Sequence, residues 1–171
     1  MEDFSAQYLS LLKTKYSGLN LTKILEEDEF YNKQILDSIN PFTQSELFRE
    51  QVYKKKIVVD VGFGGGFPIL PLAKLLPQID FIGIETRKKK VDAVKDIAKD
   101  LNLKNVTLFH SRVENIIFDQ SCVITFKAVG RVDKFLPLIQ SCYQKELHVF
   151  FYKGPSFLDL EQESFKDVSH D

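Results

Sequence analysis

Apolar residues recur at helical spacing in the first third of the chain and form short continuous runs in the remainder. Residues 4–16 place apolar side chains three and four positions apart, which predicts an amphipathic helix. A second helix is predicted from an N-cap at Thr22, through an acidic first turn, to Pro41, which ends it. A third short helix is predicted over residues 45–54. Together these helices would form an N-terminal cap, residues 1–55.

After the cap, apolar runs alternate with stretches at helical spacing. The runs predict buried strands over residues 57–61, 81–85, 106–109, 122–126 and 146–152. The stretches between them predict helices over residues 66–76, 91–101 and 132–143. This alternation favours an α/β fold with a mostly parallel sheet and helices on both faces. We therefore expect a single domain made of the cap, an α/β core over residues 56–155 and an acidic tail over residues 156–171.

The composition fits a globular domain and excludes several other classes of protein. The chain has 171 residues, of which 44% are hydrophobic and 27% charged, enough for one sizeable core. No apolar run approaches the length of a membrane-spanning helix, and the first residues are acidic rather than basic as in a secretory signal. Cys122 and Cys142 are too few for a disulfide framework or a multi-cysteine zinc site, and we expect buried, reduced thiols. These observations predict a cytoplasmic protein without a membrane partner or a metal site.

Four of the eight glycines lie within five residues, directly after the first predicted strand. The run reads Asp60-Val61-Gly62-Phe63-Gly64-Gly65-Gly66-Phe67-Pro68. Glycines at such a turn let the backbone bend tightly and approach a ligand. A dinucleotide-binding turn would have its third glycine where Phe67 stands, and the Lys-Ser/Thr pair of a P-loop is absent. The spacing instead resembles motif I of the class I S-adenosylmethionine-dependent methyltransferases, although a glycine-rich turn without a ligand stays possible.

A carboxylate at the end of the second predicted strand supports a nucleoside ligand. Glu85 lies about 20 residues after the glycine turn, where an acid can accept hydrogen bonds from both ribose hydroxyls. The segment 111–114 follows the third strand, where the corresponding loop usually borders an adenine ring. NAD also contains ribose and adenine, so these two features alone do not exclude an NAD-dependent dehydrogenase. The spacing of the glycines is the main evidence against one.

Several short segments, in a fixed order over roughly residues 10–155, point to one family. They are Asn20-Leu21-Thr22, Ile35-Leu36-Asp37-Ser38, the glycine run continuing to Pro71-Leu72-Ala73, Glu85-Thr86, Ser111-Arg112-Val113-Glu114 and Lys153-Gly154. In these the chain resembles the bacterial 16S rRNA guanine-N7 methyltransferases, RsmG or glucose-inhibited division protein B. The resemblance implies a class I methyltransferase fold and methylation of guanine N7 in the 530 loop of 16S rRNA. It also implies S-adenosyl-L-methionine as cofactor, the small ribosomal subunit or its precursor as partner, and a monomeric enzyme.

The resemblance also implies individual site residues. Cofactor contacts are implied at Gly62, Gly64, Phe67, Glu85, Val113, Glu114 and Lys127. Lys127 stands where the family usually has arginine, Gln34 where we expect histidine, and Glu85 replaces the commoner aspartate. Few residues follow Lys153-Gly154, which implies that the final β-hairpin of the usual seven-stranded sheet is short or missing.

The proposed chemistry asks for alignment rather than a general base. Guanine N7 has an exposed lone pair and no proton, so catalysis can rest on orientation and electrostatics. Lys127 and Lys153 follow strand ends on the ligand side and are the candidate catalytic residues, because lysine can donate to guanine O6.

Local charge supplies the candidate RNA contacts. The net charge of −1 hides an uneven distribution of charge. Segment 86–112 has eight basic and three acidic residues, whereas segment 154–171 has one basic and five acidic residues. The predicted RNA-binding residues are Arg87, Lys88, Lys89, Lys90, Lys54 and Lys55. An ordinary solvated helix surface remains an alternative for each cluster.

Two other functions stay open. A methyltransferase with a small-molecule acceptor would be insensitive to salt and to neutralisation of residues 87–90. A non-catalytic RNA-binding or assembly module, which Gln34 and the short C-terminus suggest, would associate with ribosomes without transferring a methyl group.

Overall fold

The computed structural model of the protein describes residues 1–128, 130–140, 142 and 145–154. Its helices are α1 (Glu2–Thr14), α2 (Glu27–Phe30), α3 (Asp37–Gln44), α4 (Glu46–Lys55), α5 (Ile69–Leu75), α6 (Lys88–Asp100) and α7 (Val132–Gln140). Its strands are β1 (Ile57–Val61), β2 (Asp80–Glu85), β3 (Val106–His110), β4 (Cys122–Lys127) and β5 (Leu147–Tyr152). A π-helical segment, Tyr31–Leu36, joins α2 to α3, and a short 3-10 helix, Val113–Asn115, lies between β3 and β4.

The five strands form one parallel sheet in the order β3-β2-β1-β4-β5. In its register, Val59 of β1 lies between Ile82 of β2 and Ile124 of β4. The chain runs from β1 to β2 and β3 in one direction and then returns to β4 and β5 on the other side. The sheet therefore has a topological switch point between β1 and β4, at the edge where such folds bind ligands.

Helices cover both faces of the sheet, which confirms the predicted α/β architecture. Successive strand residues point to opposite faces, so Val58 packs with the N-terminal cap, α5 and α6, whereas Val59 packs toward α7. On the α7 side, the ring of Phe126 lies 5.2 Å from that of Phe135. Cys122 and Cys142 are buried and form no disulfide with each other, as predicted.

The second predicted helix begins later and ends later than its sequence signals indicated. Thr22 does not cap it: its hydroxyl accepts hydrogen bonds from the amide of Ile24 and the side chain of Gln34, at 3.0 and 3.3 Å. Pro41 lies inside α3 rather than ending it. A proline inside a helix costs about 3 kcal/mol. Burial of Ile39 and Phe42 on either side, at about 1.5–3 kcal/mol each, offsets that cost.

The remaining helices differ from the prediction only at their ends. Helix α5 begins at Ile69 rather than at residue 66, because Gly66 has a left-handed φ of +91° that no α-helix accommodates. The expected end of α7 at residue 143, the acidic tail over residues 156–171 and the expected short or missing hairpin lie outside the described residues. Within the described part, no helix is both long enough and apolar enough to span a membrane.

Candidate active site

The carboxyl ends of β1 and β2 open into a cleft of about 530 Å³. The loop after β3 and helix α7 complete its walls. The volume is in the range of small-molecule sites, which in open α/β sheets lie at this edge. Four of the residues predicted to bind a cofactor line the cleft: Gly62, Glu85, Val113 and Glu114.

Glu85 ends β2 with a buried carboxylate that holds two backbone segments. Its Oε2 accepts a hydrogen bond from the amide of Gly64 at 3.2 Å. Its Oε1 accepts from the amide of Arg87 at 3.0 Å and from the hydroxyl of Thr86 at 3.2 Å. A carboxylate offers about four lone-pair positions, so one remains for a ligand, and rotation of the exposed Thr86 hydroxyl frees another. Glu85 can therefore accept both hydroxyls of a ribose without losing its bond to the glycine turn.

Gly62 and Gly64 form the part of the turn next to Glu85. Their φ angles of +75° and +55° define a left-handed backbone that side chains rarely adopt. The amide of Gly62 donates to the carbonyl of Ile84 at 2.7 Å, which fixes the turn to β2. A Cβ at Gly64 would have the carbonyl oxygen of Gly62, at 3.8 Å, as its nearest non-adjacent neighbour among the described residues. Backbone conformation rather than lack of space therefore requires glycine at position 64.

Gly65 and Gly66 pack instead against the N-terminal cap. A Cβ at Gly65 would lie 2.3 Å from the carbonyl oxygen of Leu21, and one at Gly66 would lie 2.4 Å from the hydroxyl oxygen of Tyr8. The Tyr8 hydroxyl also donates a hydrogen bond to the Gly65 carbonyl. Approach of a ligand thus explains only part of the glycine cluster, and close packing of the cap explains Gly65 and Gly66.

Phe67, an implied cofactor contact, has its side chain in the aromatic core of the cap. Its ring stacks on Tyr8 with 5.1 Å between centroids and meets Phe30 edge-on at 5.7 Å. Because these rings enclose it, the Phe67 side chain does not line the cleft. A cofactor contact at this residue would have to come from its backbone.

The carboxyl ends of β4 and β5 form a second polar region, on the other side of β1. The ammonium nitrogen of Lys127, which ends β4, lies 2.9 Å from Oδ2 of Asp37. The hydroxyl of Tyr152, which ends β5, donates to the carbonyl of Ser38 at 3.1 Å. Two consecutive cap residues therefore contact the ends of two neighbouring strands. Lys127 does not line the cleft, and its implied cofactor contact remains a prediction.

The second candidate catalytic lysine lies at the same edge of the sheet. Lys127 is opposite Tyr152 in the register of β4 and β5, and Lys153 is the next residue along the chain. The Lys153 ammonium group donates to the carbonyl of Gly130. The structure therefore brings both lysines to the β4–β5 side of the site.

Asp60 is enclosed between the two polar regions. Its Oδ1 accepts a hydrogen bond from the Thr125 hydroxyl at 3.0 Å, and its Oδ2 has no hydrogen-bond partner among the described residues. Burial raises the pKa of Asp60 to about 8, and the negative charge of Glu85 raises it as well. The hydrogen bond from Thr125 and the positive charge of Lys127 lower this pKa, but their effect is smaller. Asp60 belongs to the glycine motif, but the sequence carries no signal of this enclosure.

The predicted RNA-binding residues lie at opposite ends of the strands. Arg87, Lys88 and Lys89 are exposed at the start of α6, beside the cleft. The half-buried Lys90 has its ammonium nitrogen 4.0 Å from the position that a Cβ on Gly64 would take, so it borders the glycine turn. These four residues form one group next to the candidate site.

Lys54 and Lys55 lie at the amino ends of the strands, because α4 ends immediately before β1 begins. The Lys55 side chain is only 2% exposed, and its ammonium nitrogen lies 3.0 Å from Oε2 of Glu146. It also donates to the Glu146 carbonyl at 3.4 Å. The structure therefore corrects the expectation for Lys55, since a buried ammonium group with an internal partner is not presented to RNA. Lys54 is exposed, but it precedes β1 whereas residues 87–90 follow β2, so the two groups lie at opposite ends of these parallel strands.

The parallel sheet, the glycine turn after β1 and the acid at the end of β2 define a class I methyltransferase-like fold. A solved structure of a mutant of MtNAS in complex with S-adenosylmethionine shares this fold. Its TM-score is 0.51 at 10% sequence identity, and the match covers 87% of this chain and 55% of that one.

Sequence comparison identifies the family. The family model for rRNA small subunit methyltransferase G (GidB) matches residues 2–169. Ribosomal RNA small subunit methyltransferase G of Streptococcus pyogenes serotype M12 (strain MGAS2096) is 35% identical over 130 residues, which is 73% of this chain and 53% of the relative. The serotype M1 protein is 35% identical over 136 residues, 77% of this chain and 55% of the relative. The chain belongs to the rRNA small subunit methyltransferase G family, and it spans about half the length of the curated relatives it matches.

Proposed function

We propose that the chain uses S-adenosylmethionine to methylate N7 of a guanine in the 530 loop of 16S rRNA, as free RNA or within the small subunit or its precursor. Family membership supports this activity and this substrate. The observation that carries the proposal is the hydrogen bond between the Gly64 amide and the Glu85 carboxylate, at 3.2 Å. It joins the glycine turn to the acid of β2 beside one cleft. The proposed enzyme acts as a monomer in the cytoplasm.

The residues around the cleft fit S-adenosylmethionine. Glu85 would accept hydrogen bonds from the ribose hydroxyls, and the loop at Val113 and Glu114 would border the adenine ring. The backbone of Gly62 and Gly64 would pack against the amino-acid portion. When bound, the cofactor supplies a methyl group attached to a positively charged sulfur.

The task of the chain's own residues is to align the guanine. N7 already carries its nucleophilic lone pair, so no side chain needs to remove a proton. Alignment of reacting groups alone can lower a barrier by about 7–11 kcal/mol. Lys127 and Lys153, at the ends of β4 and β5, are the residues proposed to position the base.

The exposed residues Arg87, Lys88 and Lys89 are proposed to bind the RNA backbone beside the cleft. Each cation that neutralises a phosphate of single-stranded RNA changes the slope of log affinity against log salt by about −0.7. Three such contacts therefore contribute a slope of about −2. Neutralisation of this group should flatten the salt dependence by the same amount.

Transfer of tritium-labelled methyl groups to 16S rRNA or to small subunits that lack the modification tests the proposal. The wild-type chain is expected to transfer label, and Glu85→Ala is expected to lose transfer because it removes the ribose acceptor and the anchor of Gly64. Asp80→Ala is the matched control, since Asp80 is an exposed acid at the opposite end of the same strand. Absence of S-adenosylmethionine binding to the wild-type chain, measured by calorimetry, would refute the proposal.

Two other results would indicate the alternative functions. Methyl transfer to a small molecule, insensitive to salt, would indicate an enzyme with a small-molecule acceptor. Association with small subunits without methyl transfer would indicate a non-catalytic assembly module.

A further inference from the structure

Asp37 has no role in the reaction as described above, although it lies beside a lysine proposed to position the guanine. Its side chain is 58% exposed, whereas that of Lys127 is 15% exposed. Among the described residues, the ion pair with Lys127 is the one hydrogen bond or ion pair that uses the Asp37 carboxylate. The carboxylate therefore faces solvent with free lone pairs, next to a lysine whose side chain is mostly covered.

The ion pair lies across the switch point from the cleft. The cleft occupies the ends of β1 and β2, and Lys127 ends β4, the neighbour of β1 on the other side. Asp60 lies between them, since in the strand register it is opposite Gly83 of β2 on one side and Thr125 of β4 on the other. A base that enters from the β4 side would therefore meet Asp37 and Lys127 with the cleft ahead of it.

Packing of the surrounding helix fixes the position of Asp37. The next residue, Ser38, is buried, and its carbonyl accepts the hydrogen bond from Tyr152. The Ser38 hydroxyl donates to the carbonyl of Gln34, one turn earlier. Ile39 is buried as well. A side chain on such a fixed segment loses little conformational freedom when it binds a ligand.

We propose that Asp37 and Lys127 together read the Watson–Crick edge of the target guanine, an inference that rests on the proposed function. This edge of guanine presents the acceptor O6 followed by two adjacent donors, N1–H and the 2-amino group. Lys127 donates to O6, and the Asp37 carboxylate accepts from the two donors. No other standard base has two adjacent donors on this edge. Enzymes that act on unstacked bases commonly read them in this way.

The same contact orients the base for the reaction. N7 lies on the side of the purine away from N1 and the 2-amino group. If Asp37 holds that far side at the end of β4, N7 points toward the switch point and the cleft. One ion pair thus both selects guanine and directs its nucleophilic atom.

The test compares guanine with inosine at the target position, because inosine lacks only the 2-amino group. A synthetic 530 loop with either base is ligated into 16S rRNA and used free and assembled into small subunits. The wild-type chain is expected to prefer guanine by a factor on the order of 10 in kcat/KM for the acceptor. Asp37→Asn, which keeps the size but offers a single acceptor oxygen, is expected to lose activity on guanine and most of this preference. Its affinity for S-adenosylmethionine, measured by calorimetry, is expected to be unchanged.

Asp100→Asn is the matched control. Asp100 also pairs with a lysine across the boundary between the cap and the α/β core, with 2.9 Å to the ammonium nitrogen of Lys15, and it should keep wild-type kinetics. Equal losses for Asp37→Asn on guanine and inosine, or an equal loss in Asp100→Asn, would overturn the inference and leave Asp37 a structural partner of Lys127. Wild-type preference for guanine that survives in Asp37→Asn would overturn it too. A wild-type chain that methylates neither acceptor refutes the proposed function itself, and the inference with it.

Discussion

Substitution of Gly65 by alanine would place a Cβ 2.3 Å from the carbonyl oxygen of Leu21, closer than such atoms approach in proteins. The obstructing atom belongs to the backbone, so rotation of a side chain cannot relieve the contact and the cap has to move. Overpacking of this kind costs about 1–3 kcal/mol. Movement of the cap also weakens the hydrogen bond from Tyr8 to the buried Gly65 carbonyl, and an unsatisfied buried acceptor costs about 1–3 kcal/mol more. We expect Gly65→Ala to lower the free energy of unfolding by about 2–6 kcal/mol.

Urea denaturation followed by circular dichroism measures this loss, with Gly64→Ala as the neighbouring control. A Cβ at Gly64 has room, and its left-handed φ costs only about 1–2 kcal/mol. Gly65→Ala should therefore be the less stable variant, while Gly64→Ala should have the larger direct effect on S-adenosylmethionine binding. If Gly65→Ala unfolds at the same urea concentration as wild type, the close packing of cap and glycine turn is refuted.

Two further predictions concern buried charges. Glu146→Ala should destabilise the fold more than Lys55→Met, because it leaves the buried Lys55 ammonium group without its carboxylate, whereas Lys55→Met removes the buried charge itself. Thermal melting of the two variants measures this order. A higher melting temperature for Glu146→Ala than for Lys55→Met would contradict the pairing. Burial raises the pKa of Asp60 from 3.8 to about 8, so the folded state keeps a proton that the unfolded state releases. Stability contributed by this group should therefore fall as pH rises from about 4 to about 8. Asp60→Asn, which cannot ionise, should gain stability relative to wild type over that range, and a pH-independent difference in urea midpoint would contradict the enclosure of the carboxylate.

The sheet was predictable because each strand is a short apolar run held between two layers. The observed ends of β1 and β2, for example, lie within one residue of the predicted ones. The order of motifs likewise singled out Gly62, Glu85, Val113 and Glu114, which all line the cleft. Parallel strands bring their carboxyl ends to one edge, so residues that follow strands in the sequence meet in one cleft.

The features that the sequence did not disclose depend on contacts between distant segments. Helix α3 continues through Pro41 because its neighbours are buried, and proline alone would have ended it. Lys55 belongs to a basic run, yet Glu146, the residue before β5, pairs with it and its side chain is buried. Gly65 has the same local context as Gly64, and only the approach of the cap separates their roles. Asp37 gains its position beside Lys127 only when the cap packs on the sheet.

Mass mapping of N7-methylguanine in 16S rRNA, from cells with and without the gene for this chain, tests the central proposal most directly. We expect the methyl group in the 530 loop to be absent without the gene and restored by the wild-type chain, but not by Glu85→Ala. An unchanged level of N7-methylguanine in the 530 loop after loss of the gene would contradict the proposed function.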